Sequence, residues 1–169
     1  MTVKSAAYVA TGAAPWATAA GREAAGRGAH ENEARERQEA AASRVRELGA
    51  REGERWFGDF AACVVAAVRA FNAEVGRDVV RVVTRNGGPE LSVRCDGSNA
   101  FAWGSYVGRH EPCVYFAERL HGRDAMRSLP CTVSDDGDLA VLVAGEVLGP
   151  ALAAERLFGP WLAGLDVDA

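Results

Sequence analysis

Lysine is nearly missing from this chain: Lys4 stands alone among 19 cationic residues, set against 23 acidic ones. The net charge of -4 therefore lacks the basic surplus that phosphate contacts need, which argues against a dedicated nucleic-acid binder. The heavy use of alanine, with arginine in place of lysine, reads as coding bias from a GC-rich bacterial genome and carries no functional sign. Strongly apolar runs of 18 residues or more are missing too, so no membrane-crossing helix and no membrane partner are expected. The four cysteines, Cys63, Cys95, Cys113 and Cys131, lie 32, 18 and 18 residues apart. They lack the close pairs of a small secreted disulfide scaffold, which favours a reduced cytoplasmic setting. Walker, dinucleotide-binding, His-Glu-x-x-His and calcium-loop patterns are missing, as is Gly-x-Ser-x-Gly around Gly104-Ser105.

What is there fits one globular domain with or without a loose tail, since 169 residues at 49% apolar leave no room for two full enzyme domains. Residues 1–29 hold eleven alanines and four glycines, with no period and little bulk to bury. They are expected to be a disordered or loosely helical tail. Lys4 ahead of Ala6 to Ala20 imitates a signal peptide, but Gly12 and Pro15 break the apolar run, which makes a poor h-region. A start codon assigned too far upstream would give the same composition.

Residues 30–53 read as a charged helix, with Glu31 and Arg35, Glu33 and Arg37, and Glu47 and Arg51 spaced i,i+4 in the favourable order. Its end is expected near Gly49 or Gly53. The reading is a solvated helix, with a partner-binding or coiled-coil arm as the alternative.

Residues 54–165 are expected to form an α+β domain. Trp56, Phe60, Val64, Ala67, Phe71 and Val75 recur at three or four and share a face, with Asp59, Arg69 and Ala73 opposite. Gly76 stops that helix as its C′ residue. Strands follow from Asp78, with turns at Asn86-Gly87-Gly88-Pro89, at Asp96-Gly97 as a type I′ signal, and at Asp135-Asp136-Gly137-Asp138. The connections are too short for parallel crossovers, so an antiparallel meander of five or six strands is predicted. A short C-terminal helix from Pro150, limited by Gly159-Pro160, is expected to close it.

The chemistry-bearing residues are weaker signals. His110, Cys113, His121 and Cys131 offer only one close ligand pair, and strand parity turns Cys95 and Cys131 inward, so no metal and no cofactor are expected. His110-Glu111 beside Cys113 and Tyr115 suggests a base and a nucleophile, with nothing visible to orient them. Asp135, Asp136 and Asp138 lack the closing glutamate of a calcium loop and read as a hairpin tip. Arg81, Arg85 and Arg94 are the candidate binding residues. Arg81 and Arg94 lie out of phase with core positions and suggest a solvent face able to meet an anionic ligand or acidic partner, unless Glu90 and other nearby carboxylates neutralise it. The expected role is a non-enzymatic binding or accessory module, acting on a protein partner or by self-association. The alternative is a small-ligand site or enzyme whose pocket lies between the sheet and the aromatic helix.

Overall fold

The computed structural model describes residues 15–85, 89–108 and 110–167, so the Asn86-Gly87-Gly88 turn and residues 1–14 of the expected tail lie outside the described residues. The chain divides into two units, Met1–Ala41 and Ala42–Ala169. Helix α1, Pro15–Val75, contributes to both. Within the first unit its residues from Trp16 are almost all exposed, and they include 15–29, where the sequence shows no period. Alanine and straight-chain residues favour a helix without needing a buried face. The ion pairs here are Arg37 with Glu33 at 3.0 Å and Arg35 with Glu39 at 3.9 Å, so Arg35 reaches forward instead of back to Glu31. Each such pair contributes only about 0.2–0.5 kcal/mol.

In the second unit α1 does not stop at Gly49 or Gly53. Both glycines are buried inside the helix, because the Tyr106 ring from the sheet docks on Gly53, and Pro112 with the Tyr106 hydroxyl on Gly49. Arg51 pairs with its neighbour Glu52 instead of Glu47. The buried stripe runs Leu48, Trp56, Phe57, Phe60, Val64 and Val68. Ala67, expected on that face, is exposed, and Phe71 and Val75 are half-buried. The helix ends as the sequence predicts: Gly76 has φ +75°, its N–H donates to the Ala73 carbonyl and the Arg77 N–H to that of Asn72, the paired bonds of a Schellman motif.

The fold is α+β. Seven strands, one more than the upper expectation, form a sheet in the order β1-β2-β3-β4-β5-β6-β7, every neighbouring pair antiparallel. They are β1 Val80–Thr84, β2 Glu90–Cys95, β3 Phe101–Val107, β4 Cys113–Leu120, β5 Arg123–Val133, β6 Leu139–Val143 and β7 Glu146–Leu148. The additional strand arises because Ala144 (φ 50°) and Gly145 (φ 87°) fold the last apolar run back on itself. Among the described residues, His121-Gly122 (φ 51° and 72°) makes a second tight left-handed turn of this primed type. At Asp96-Gly97 only the glycine has positive φ, and a five-residue connection replaces the expected type I′ turn.

Parity sorts the strands into two faces. Leu91, Val93, Ala102, Val114, Phe116, Leu129 and Val141 point inward with Val80, beneath α1 and the closing helix α2, Pro150–Ala163. An aromatic cluster joins these layers. Phe60 stacks on Trp56 at 5.6 Å between ring centroids and meets Phe57 and Phe158, and Phe158 meets Phe116 edge-on at 5.1 Å. Phe57 and Phe60 lie over Gly104, where an added Cβ would already be in contact. Small inward residues on β3 thus make room for large ones on α1. Helix α2 continues through Pro160, correcting the expected limit at Gly159-Pro160. Burial of Trp161 and Leu162, and a 3.2 Å bond from Trp161 Nε1 to the Arg119 carbonyl, hold the turn beyond it.

Candidate functional site

The side of the sheet away from the helices carries side chains in cross-strand rows. One row is Arg81, Arg94, Phe101, Arg119 and Asp124, each the register partner of the next across β1 to β5. Its neighbour is Val83, Ser92, Trp103, Ala117 and Met126. Val83 is 59% and Met126 72% exposed, and Trp103 between them is half-buried. Further along the same side Leu142 and Val147 pair in register and are also exposed. Among the described residues no element covers this apolar row.

The candidate arginines sit at one end of this surface. Arg81 and Arg94 are directly opposite each other on β1 and β2, and Arg85 follows the end of β1. Arg81 is held by Asp96 at 2.7 Å and Arg85 by Glu90 at 3.1 Å, so carboxylates do balance part of the patch. In the same row the Arg119 guanidinium makes two bonds to Asp124, at 2.6 and 2.8 Å, and lies 5.3 Å from the centre of the Phe101 ring. Those bonds lower the Asp124 carboxyl below its usual range. Phe101, Trp103, Val83 and Met126 were not singled out from sequence as surface residues. The available signal was parity: with Ala102, Gly104 and Tyr106 inward, the other two β3 aromatics must point out.

The remaining edge of the site is β1 itself. Asp96 N–H donates to the Val79 carbonyl at 2.7 Å and Arg85 N–H to that of Glu90 at 3.3 Å, so the odd residues of β1 bond to β2 and the even ones present N–H and C=O outward. Asn72 of α1 satisfies the first of these. Its Nδ2 donates to the Val80 carbonyl at 2.8 Å, and its Oδ1 accepts from the Val80 and Val79 N–H groups at 3.0 and 3.2 Å. The outward groups of Val82 and Thr84 have no partner among the described residues. Between this edge and α1 runs a groove, about 510 Å³ beside Val65, Arg69 and Asn72 and about 680 Å³ where Phe57, Ala61 and Ala62 face Thr84 and Pro89.

The cysteines and histidines are elsewhere. Cys113 is buried with its Sγ 3.0 Å from Ser128 Oγ and 3.6 Å from the Val114 carbonyl, while His110 is exposed in the preceding loop. Cys95 and Cys131 are core residues, as parity predicts. Burial, reinforced by Cys113, pushes the Cys131 thiol up to about 12, which keeps it protonated and unreactive. His121 occupies the β4–β5 turn, 3.4 Å from Asp166. Asp135, Asp136 and Asp138 lie at the β5–β6 tip, where the Asp138 N–H bonds to Ser134 Oγ. Among the described residues no three His, Cys, Asp or Glu side chains converge as a metal site would require, and no helix is long and apolar enough to cross a membrane.

Compared with protein-family models, curated proteins and solved structures, the chain matches none.

Proposed function

We propose that this protein is a small non-enzymatic docking module of bacterial, cytoplasmic type that works by protein–protein contact. One observation supports the reading above the others: in the row Val83, Ser92, Trp103, Ala117 and Met126, Val83 and Met126 are open to solvent and Trp103 is half-buried between them, bordered by Arg81, Arg94 and Arg119. Exposed apolar side chains rimmed by charge are characteristic of interaction sites. Main-chain groups free on the β1 edge add a second means of contact.

The test is a photoreactive residue in place of Met126 in the full chain, expressed in cells of its source. The expected result is a discrete crosslink to one protein, lost when Trp103 is changed to Glu. No crosslink, with an unchanged sedimentation profile across concentration, would overturn the reading.

The groove against Phe57 and Ala61 supports a second reading, a small-ligand site between the sheet and α1. A thermal-shift screen against metals, nucleotides and acidic metabolites separates the two, since a ligand of the native state raises its apparent stability by mass action.

A further inference from the structure

We infer that the β1 edge receives an extended acidic segment of another protein as an eighth strand, seated in the groove beside α1; this rests on the docking-module reading. The chemistry of the edge sets the kind of occupant. Val82 and Thr84 present two N–H donors and two C=O acceptors in one line, and an extended main chain satisfies all four at once. Asn72 already holds Val80, so the open edge is short and its register is fixed at Val82 and Thr84.

Charge decides between a second copy of this chain and a different partner. Self-pairing about Val83 would use all four groups, but it sets Arg81 opposite Arg85 of the second copy and Arg85 opposite its Arg81, adding two like-charge pairs to the Arg81–Arg94 pair that the sheet already carries. Self-pairing about Val82 avoids that clash but needs the Val80 groups that Asn72 occupies. A heterologous strand with carboxylates opposite Arg81 and Arg85 has neither difficulty. Arg85 donates to Glu90 through one nitrogen, and with side chains 71% and 77% exposed the Arg81 and Arg85 guanidinium groups, five donors each, can meet a further carboxylate. Between those two carboxylates the residue opposite Val83 shares its exposed apolar side. The two residues opposite Val82 and Thr84 turn toward Val65 and Ala61 of α1, which favours small or branched apolar side chains. On the floor and helix wall of the groove Arg69 is balanced by Glu54, Asp78 and Glu90, so the preference for carboxylates rests on Arg81 and Arg85 at the open side.

The probe is a fluorescein-labelled peptide, Ser-Glu-Val-Val-Val-Glu-Ser, titrated into the full-length protein by anisotropy. Binding at least tenfold tighter than the version with both glutamates changed to lysine is expected. N-methylation of the first and third valines, which would face Thr84 and Val82, should weaken binding at least tenfold, whereas N-methylation of the middle valine should leave it within about twofold. In the doubly changed Arg81→Glu, Arg85→Glu chain, with its fold checked by circular dichroism, preference should invert toward the lysine peptide. Equal binding of all the N-methylated forms, equal binding of the lysine peptide, or no binding at millimolar peptide overturns the edge site. A Met126 crosslink without peptide binding overturns the edge site alone; failure of both removes the docking reading with it.

Discussion

Tyr106 on β3 donates its hydroxyl hydrogen bond to the carbonyl of Gly49, 57 residues earlier in α1, at 2.7 Å. The same ring occupies the space a side chain at Gly53 would need: a Cβ there would lie 1.9 Å from the tyrosine oxygen and 2.0 Å from Cζ. Glycine at this point of the helix is a docking requirement.

Gly53→Ala should therefore destabilise the protein by about 1–3 kcal/mol as an overpacked contact, although alanine is the better helix former by about 1 kcal/mol. Gly58, one turn on and exposed, has nothing within 4 Å of its added Cβ. Gly58→Ala should stabilise by about 0.5–1 kcal/mol. Urea titrations of the two variants should move in opposite directions.

Phe60 is fully buried and touches three other aromatic rings. Phe60→Ala is expected to cost about 3–5 kcal/mol, while Met126→Ala on the open side of the sheet should stay within about 0.5 kcal/mol of the parent. A denaturant midpoint for Phe60→Ala close to that of the parent would mean that α1 is no part of the core.

Burial pushes the Tyr106 phenol up to about 12, with smaller contributions from Cys131 and Glu54. Both Tyr106 and Cys131 hold their protons more tightly in the folded than in the unfolded chain. Above about pH 9–10 the unfolded state releases these protons first, so stability falls as pH rises toward 12. Tyr106→Phe should lose about 1 kcal/mol at pH 7 with the Gly49 bond, and its melting temperature should decline less steeply between pH 9.5 and 11 than that of the parent.

Asn72→Ala leaves the N–H and C=O of Val80 without their side-chain partner. A loss of about 1–3 kcal/mol is expected. The sharper measurement is amide hydrogen exchange, in which Val80 should lose protection while Val93, in the middle of the sheet, keeps it until global unfolding.

Periodicity made much of this architecture legible. The Trp56, Phe60 and Val64 stripe, the stop at Gly76 and the alternation through Leu91 and Val93 all follow from local pattern. What escaped depends on partners distant in sequence. Gly49 and Gly53 resemble helix ends until Tyr106 explains them. The first half of β5, Arg123–Ser128, is exposed on both faces and so shows no alternation, and Ala144-Gly145 lacks the asparagine or aspartate that marks a primed turn. Arg81 and Arg94 were legible as surface residues by phase alone. That Asn72 leaves only Val82 and Thr84 open beside them was not, because a helical asparagine gives no sign of which backbone it will meet.

The Asn72 contact also bears on the order of folding. It links residues only eight apart, and every strand pairs with the next in the chain, so most of the sheet closes through short loops at low entropic cost. The ties from Tyr106 to Gly49 and from Trp161 to Arg119 span 57 and 42 residues, and neither has a surface to land on until β3 and β4 have paired. The end of α1 and the β1 edge should thus be set early, with Asn72 holding Val80 while the rest of the meander zips up behind it.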